Sequence, residues 1–181
     1  MAVALGPEHA SAAFARRDAP TAGLTETAAD LALACHAMAR RFHRGGRLLA
    51  FGAGAARADA AHVVVEFAHP VIVGKRALPA LALAEPRWLP LFAEPQDIAL
   101  GLCADGRDPG VSEGLALGRD AGLLTIALLG GDGGAIARLD GLDHVLVVPS
   151  ADPRIVREAH VTAYHVLWEL VHVFLDQPGV L

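Results

Sequence analysis

Residues 47–68 constrain the fold more than any other stretch. The run Arg47-Leu48-Leu49-Ala50-Phe51 is short, apolar and stopped by Gly52, the pattern of a buried strand. Gly52 and Gly54 then allow a sharp turn and close approach to a ligand. The alanine-rich segment that follows predicts a helix over 56–68, its first turn offering free N–H groups to an anion. On that helix His62 and Glu66 are four residues apart, hence on one face, where they can share a proton or a metal ion.

The remainder of the chain repeats the strand–helix alternation. Thr27, with Asp30 three residues on, predicts a capped helix to about His43, with Leu31, Cys35, Met38 and Phe42 as its apolar seam. Strands are expected near 80–83, 98–103, 124–128 and 144–148, and helices near 111–121, 134–139 and 153–175. This order predicts an α/β fold: a doubly wound, parallel five-stranded sheet flanked by helices, with long N- and C-terminal helices. Residues 1–23 read as an N-terminal arm and 24–181 as a single domain. Ligands of such sheets sit at the carboxyl ends of the strands, here at Gly52 and the loop Gly101–Gly110.

Composition narrows the function. A formal net charge of −5, with no basic run, argues against nucleic acid as a direct ligand. The longest apolar stretches are far too short to span a bilayer, and no signal-peptide pattern opens the chain, so a cytoplasmic protein is expected. Cys35 and Cys103 are too few and too far apart for a disulfide framework. A hydrophobic content of 54% suggests that other subunits cover some apolar surface.

The spacing Gly52-x-Gly54-x-x-x-x-Asp59-Ala60-x-His62-x-x-x-Glu66 resembles the first motif of the SIS (sugar isomerase) domain, closest to the phosphoheptose isomerase branch. Matching stretches follow in order at 78–83, 101–110, 124–134 and 154–170, the last with His160 and His165. The resemblance implies that Glu66 and His165 serve as catalytic base and acid in aldose–ketose isomerisation, which needs two groups able to exchange protons near neutral pH. It also implies a zinc or other divalent transition-metal site at His62, Glu66 and His165. The family's fourth ligand, a Gln, falls on Arg157, which stays protonated and cannot ligate. Three protein ligands plus water remain a recognised zinc arrangement. A homotetramer is implied as well, with terminal helices packed between subunits. His69, His144, His160 and His172 are expected in the core or on the surface, and Glu169 on a solvated face.

Two departures bear on the ligand. The family's first turn carries a serine, whereas this chain reads Gly52-Ala53-Gly54-Ala55-Ala56. Its hydroxyl-rich second loop is replaced by Cys103-Ala104-Asp105-Gly106-Arg107-Asp108. Hydroxyls give way to a thiol, a methyl and two carboxylates that repel phosphate. Gly52, Gly54, Ala55, Asp59, Cys103, Asp105, Arg107 and Arg157 are therefore the expected substrate-binding residues of a repurposed pocket. That pocket would take a small sugar-like or carbonyl ligand, and Cys103 and Asp105 could extend the metal set. The second departure is the short connection 84–96, whose three prolines preclude a long helix; Trp88, Leu91 and Phe92 are expected to pack over the sheet or to form a contact patch. The alternative reading is a non-catalytic SIS module, acting as a regulatory, scaffold or accessory maturation protein.

Overall fold

The structure, a computed structural model, describes residues 6–181. Helix α1 (Pro7–Gly23) leads through a 3-10 turn, Leu24–Thr27, into α2 (Ala28–His43). Strand β1 (Leu48–Gly52), helix α3 (Ala56–Ala68) and strand β2 (Ala80–Ala82) follow. Then come β3 (Ile98–Cys103), α4 (Pro109–Asp120), β4 (Leu124–Gly130), β5 (His144–Val148) and α5 (Pro153–Leu175). The sheet order is β2-β1-β3-β4-β5, and every pairing is parallel. Winding reverses between β1 and β3, so a crevice opens where these two strands end, at Gly52 and Cys103.

Strand alternation divides the core between two faces. Leu48, Ala50, Ile98, Leu100, Leu102, Ile126 and Leu128 pack with α2, α3 and α5. Leu49, Phe51, Ala99, Cys103, Ala127 and Leu129 face α4 and the short 3-10 turns. Each buried Leu or Ile in these layers contributes about 1.5–3 kcal/mol. This division decides the site, because it lays α3 and α5 side by side on one face of the sheet.

Several expectations change in detail. The Thr27 hydroxyl makes no capping bond to α2; it donates to Leu24 O at 2.8 Å, so the chain stays helical from α1 into α2. Gly101 belongs to β3 rather than to a loop, and β4 continues to Gly130. Residues 134–139 contribute only a 3-10 turn, Ile136–Arg138. The seam Leu31, Cys35, Met38 and Phe42 is buried within the chain's own core, where burial pushes the Cys35 thiol up to about 12. In the short connection Leu89 fills the core; Trp88 and Leu91 do not pack over the sheet, at 53% and 80% exposure. The prolines there permit only a 3-10 turn, Pro86–Leu91, which is too short to bury more than one of its large side chains.

Candidate active site and metal centre

Gly52 ends β1 directly beneath α3: a Cβ there would lie 2.5 Å from Ala56 O, so no larger residue fits the strand-to-helix turn. The turn delivers α3 with His62 and Glu66 facing α5. His62 Nε2 lies 3.0 Å from Glu66 Oε1, and His165 Nε2 approaches the same oxygen at 3.8 Å. One donor atom from each residue falls within 4.8 Å of the others, the only such group among the described residues. Glu66 is the most enclosed of the three, with 17% of its side chain exposed against 42% for His62 and 46% for His165. Glu66 and His165 line a cleft of about 410 Å³ together with Val71, Ile72, Lys75, Trp168 and Val173.

The buried Tyr164 completes the arrangement. Its hydroxyl lies 2.6 Å from His62 Nδ1, and the rings of His62, Tyr164 and His165 meet edge to face at 5.1–5.5 Å. Burial, then the negative charges of Asp59 and Glu66, raises the Tyr164 pKa and keeps the phenol protonated. Without a metal, the partners favour one imidazole tautomer: Tyr164 donates to Nδ1, and Nε2–H donates to Glu66; a metal at Nε2 would require the opposite tautomer. Sequence reading missed this role. The available signal was a hydroxyl-bearing ring next to His165, on a helix packed against α3.

Asp59 and Arg157 meet each other. Arg157 Nε and Nη2 donate to the two Asp59 oxygens at 2.6 and 2.8 Å, joining α3 to α5. Arg157 is thus held beside the centre by the carboxylate of the matched motif, a geometry typical of a positioned guanidinium.

The strand-end loop is organised separately. Asp105 Oδ1 accepts from the Arg107 amide at 3.0 Å and the Cys103 thiol at 3.2 Å, which together hold its carboxyl below the usual range against a smaller opposing effect of burial. Asp108 caps α4 by accepting from Val111 N at 3.0 Å. Arg107 pairs with Asp132 at 3.1 Å, while the Gly134 amide, followed by this Arg107 charge, lowers the Asp132 pKa. Gly106, with φ +67°, lets loop 104–108 lie against 133–134, where any Cβ would strike Gly133 O. Beside Gly54 and Ala53 these residues border a cavity of about 430 Å³. Cys103 and Asp105 stand outside the His62, Glu66, His165 group. The reason is the pleat: Leu102 faces α3 and α5, so Cys103 faces the other side of the sheet.

The remaining histidines have structural surroundings. His160 Nε2 bonds Leu129 O at 3.0 Å, and burial lowers its pKa. His172 is held between the carbonyls of Trp168 and Arg76. His144 is half-buried; His69 and Glu169 are exposed.

The donors fit a zinc-type ion: two imidazoles, one carboxylate, and a hydrogen bond to the non-ligating nitrogen of His62. Among the described residues no helix is long and apolar enough to cross a membrane.

No family model matches the chain. It is 34% identical over 148 residues to the phosphoheptose isomerase of Pelobacter propionicus, covering 72% of this chain and 77% of that protein. With the phosphoheptose isomerase of Trichlorobacter lovleyi it shares 32% over 168 residues, 83% of each chain. The solved structure of a phosphoheptose isomerase from Francisella tularensis superimposes with a TM-score of 0.84 at 21% identity, over 91% of this chain and 97% of that one. The chain belongs to the phosphoheptose isomerase branch of the SIS-domain family.

Proposed function

We propose that His62, Glu66 and His165 form an acid–base and metal centre that interconverts a small sugar-like aldose and ketose, with the phosphate anchor of the relatives replaced. The observation that carries this reading is the convergence of both imidazoles on one enclosed carboxylate oxygen, Glu66 Oε1. Glu66 removes the proton from the carbon beside the substrate carbonyl and returns it to the neighbouring carbon. His165 gives a proton to the carbonyl oxygen and recovers one from the adjacent hydroxyl as the double bond shifts. Zinc or another divalent transition metal, held by His62, Glu66 and His165, would polarise that carbonyl as a Lewis acid. The relatives named phosphoheptose isomerase support a sugar phosphate as the parent substrate class.

The other end of the substrate meets different chemistry. The strand-end loop offers Gly52, Gly54 and Ala55, the Cys103 thiol and the ionised Asp105, while Arg107 is paired with Asp132. A carboxylate without a free guanidinium favours a hydroxyl-rich or cationic group over phosphate. Arg157, fixed by Asp59, would bind a substrate oxygen.

The test combines chemistry and metal content. Wild type and His165→Ala would be assayed with sedoheptulose 7-phosphate and with unphosphorylated sedoheptulose; loss of about 10²–10⁴-fold is expected in the variant. Elemental mass spectrometry should find near-stoichiometric metal that His62→Ala loses. Wild type indistinguishable from His165→Ala on both sugars, with no metal bound, would end the enzyme reading.

Exposed Trp88 and Leu91 favour a second reading, a non-catalytic SIS module whose short connection docks a protein. Retained cellular function in a Glu66→Gln, His165→Ala double variant would select it. A homotetramer is proposed for either reading, and a monomer mass in light scattering would contradict it.

A further inference from the structure

A third cleft lies where β3 and β4 begin, at the end of the sheet opposite Gly52 and Cys103. It measures about 550 Å³, and Arg40 and Arg41 of the last turn of α2 and Arg44 just after it surround the cleft, with Pro95, Gln96 and Gly122. Leu124, the first residue of β4, forms part of its floor. This cleft shares no lining residue with the cleft at Glu66 and His165.

Three features distinguish this cluster from ordinary helix-end arginines. First, the carbonyls at the end of α2 are already satisfied by the chain's own amides: Arg44 N to Arg40 O and Arg41 O, Gly45 N to Phe42 O, and Gly46 N to Arg41 O. The guanidinium groups are not needed as caps. Second, no carboxylate lines the cleft, and among the described residues Arg40, Arg41 and Arg44 form no ion pair, although the chain carries a net charge of −5. The neighbouring Arg47, by contrast, is paired with Asp97. Third, Arg41 is fixed: its Nη1 donates to the carbonyls of Pro95 and Gly122, leaving Nε and Nη2 as oriented donors. Three like charges around one concavity repel one another, and a bound anion removes that repulsion. Planar guanidinium forks suit phosphate oxygens in particular.

We propose that this cleft binds a small, multiply charged phosphate compound, at a site separate from the His62, Glu66, His165 centre. Arg41 anchors the anion from the floor, Arg40 and Arg44 close on it from the end of α2, and Ala37 and Leu124 lie against its less polar part. A concave site of this volume on an otherwise acidic chain selects a compact anion over an extended nucleic-acid strand.

The experiment is calorimetric titration of the full-length protein with inorganic pyrophosphate at low and moderate salt, beside a 20-nucleotide single strand. Wild type should bind pyrophosphate, more weakly as salt rises. The Arg40→Gln, Arg44→Gln double variant, altered only at exposed side chains, should lose at least tenfold in affinity, whereas His165→Ala should bind as wild type does. Equal affinity in the double variant, loss in His165→Ala (capture by a metal at the other centre), absence of binding at millimolar pyrophosphate, or binding of the oligonucleotide alone would each overturn the proposal.

Discussion

Replacing Tyr164 with Phe isolates the contact that orients the candidate metal centre. The ring is fully buried, so the substitution preserves its packing and deletes one hydroxyl 2.6 Å from His62 Nδ1. One hydrogen bond of this kind contributes about 0.5–1.5 kcal/mol to stability. In a domain of this size that corresponds to a fall in Tm of roughly 1–6 °C. The larger effect should appear in metal binding. A ligand at Nε2 requires the imidazole proton on Nδ1, and the Tyr164 hydroxyl, which rotates, can then accept it. Without that oxygen, His62 loses both its tautomer control and its ring orientation. Loss of such an outer contact weakens metal binding by about 10–100-fold, or roughly 1.4–2.8 kcal/mol. Competition titration against a chromophoric chelator gives the affinity, and urea unfolding of the metal-free protein gives the stability. Metal affinity within twofold of wild type, with the expected small stability loss, would refute a positioning role and leave Tyr164 as a packing residue.

Two further predictions concern ion pairs that sequence reading did not foresee. The buried Asp97 accepts from Arg47 N, Nε and Nη2 at 2.8, 3.2 and 2.6 Å and from Glu94 N at 3.0 Å. Burial pushes its carboxyl pKa up, but the Arg47 side chain and the two amides outweigh it, so the net shift is downward from 3.8. A depressed folded value means stability present above pH 3.8 and lost as pH falls through the folded value. Asp97→Asn should cost about 1.5–3 kcal/mol at pH 7, and its deficit in urea unfolding should shrink in acid; a deficit independent of pH would exclude the carboxylate as its source. For the pair joining α3 to α5, Arg157→Gln leaves Asp59, 9% exposed, without its partner and should destabilise by about 1–3 kcal/mol. A double-mutant cycle with Asp59→Asn should give coupling of at least 0.5 kcal/mol, and additive losses would show that the contact carries no energy.

The strand–glycine–helix unit was legible because its signals are local: an apolar run, a glycine under close approach, and a helix with His62 and Glu66 one turn apart. Strands 98–103 and 144–148 and helix 153–175 were legible for the same reason, since each has its own period and stop signal. The 3-10 turns and the direct passage from α1 to α2 were less so, because they depend on what packs above them. Thr27 shows the difference: its sequence context is that of a cap, yet its hydroxyl bonds backward to Leu24 O. Trp88 and Leu91 show it again. Hydrophobicity predicts burial, but a proline-limited turn has room in the core only for Leu89.

By itself the sequence determined the parallel α/β fold, its family, and the residues able to exchange protons or hold a metal, because those depend on residue type and short spacing. The tertiary structure decided which of them stand together. Strand pleating sent Cys103 to the face opposite His62, Glu66 and His165. Helix packing gave Arg157 to Asp59 and the Tyr164 hydroxyl to His62, across 98 and 102 residues of chain. Folding also gathered Arg40, Arg41 and Arg44 around a cleft without a carboxylate. Contacts of that range carry no local signature, because a side chain's partner is set by the direction in which its element presents it and not by its neighbours along the chain.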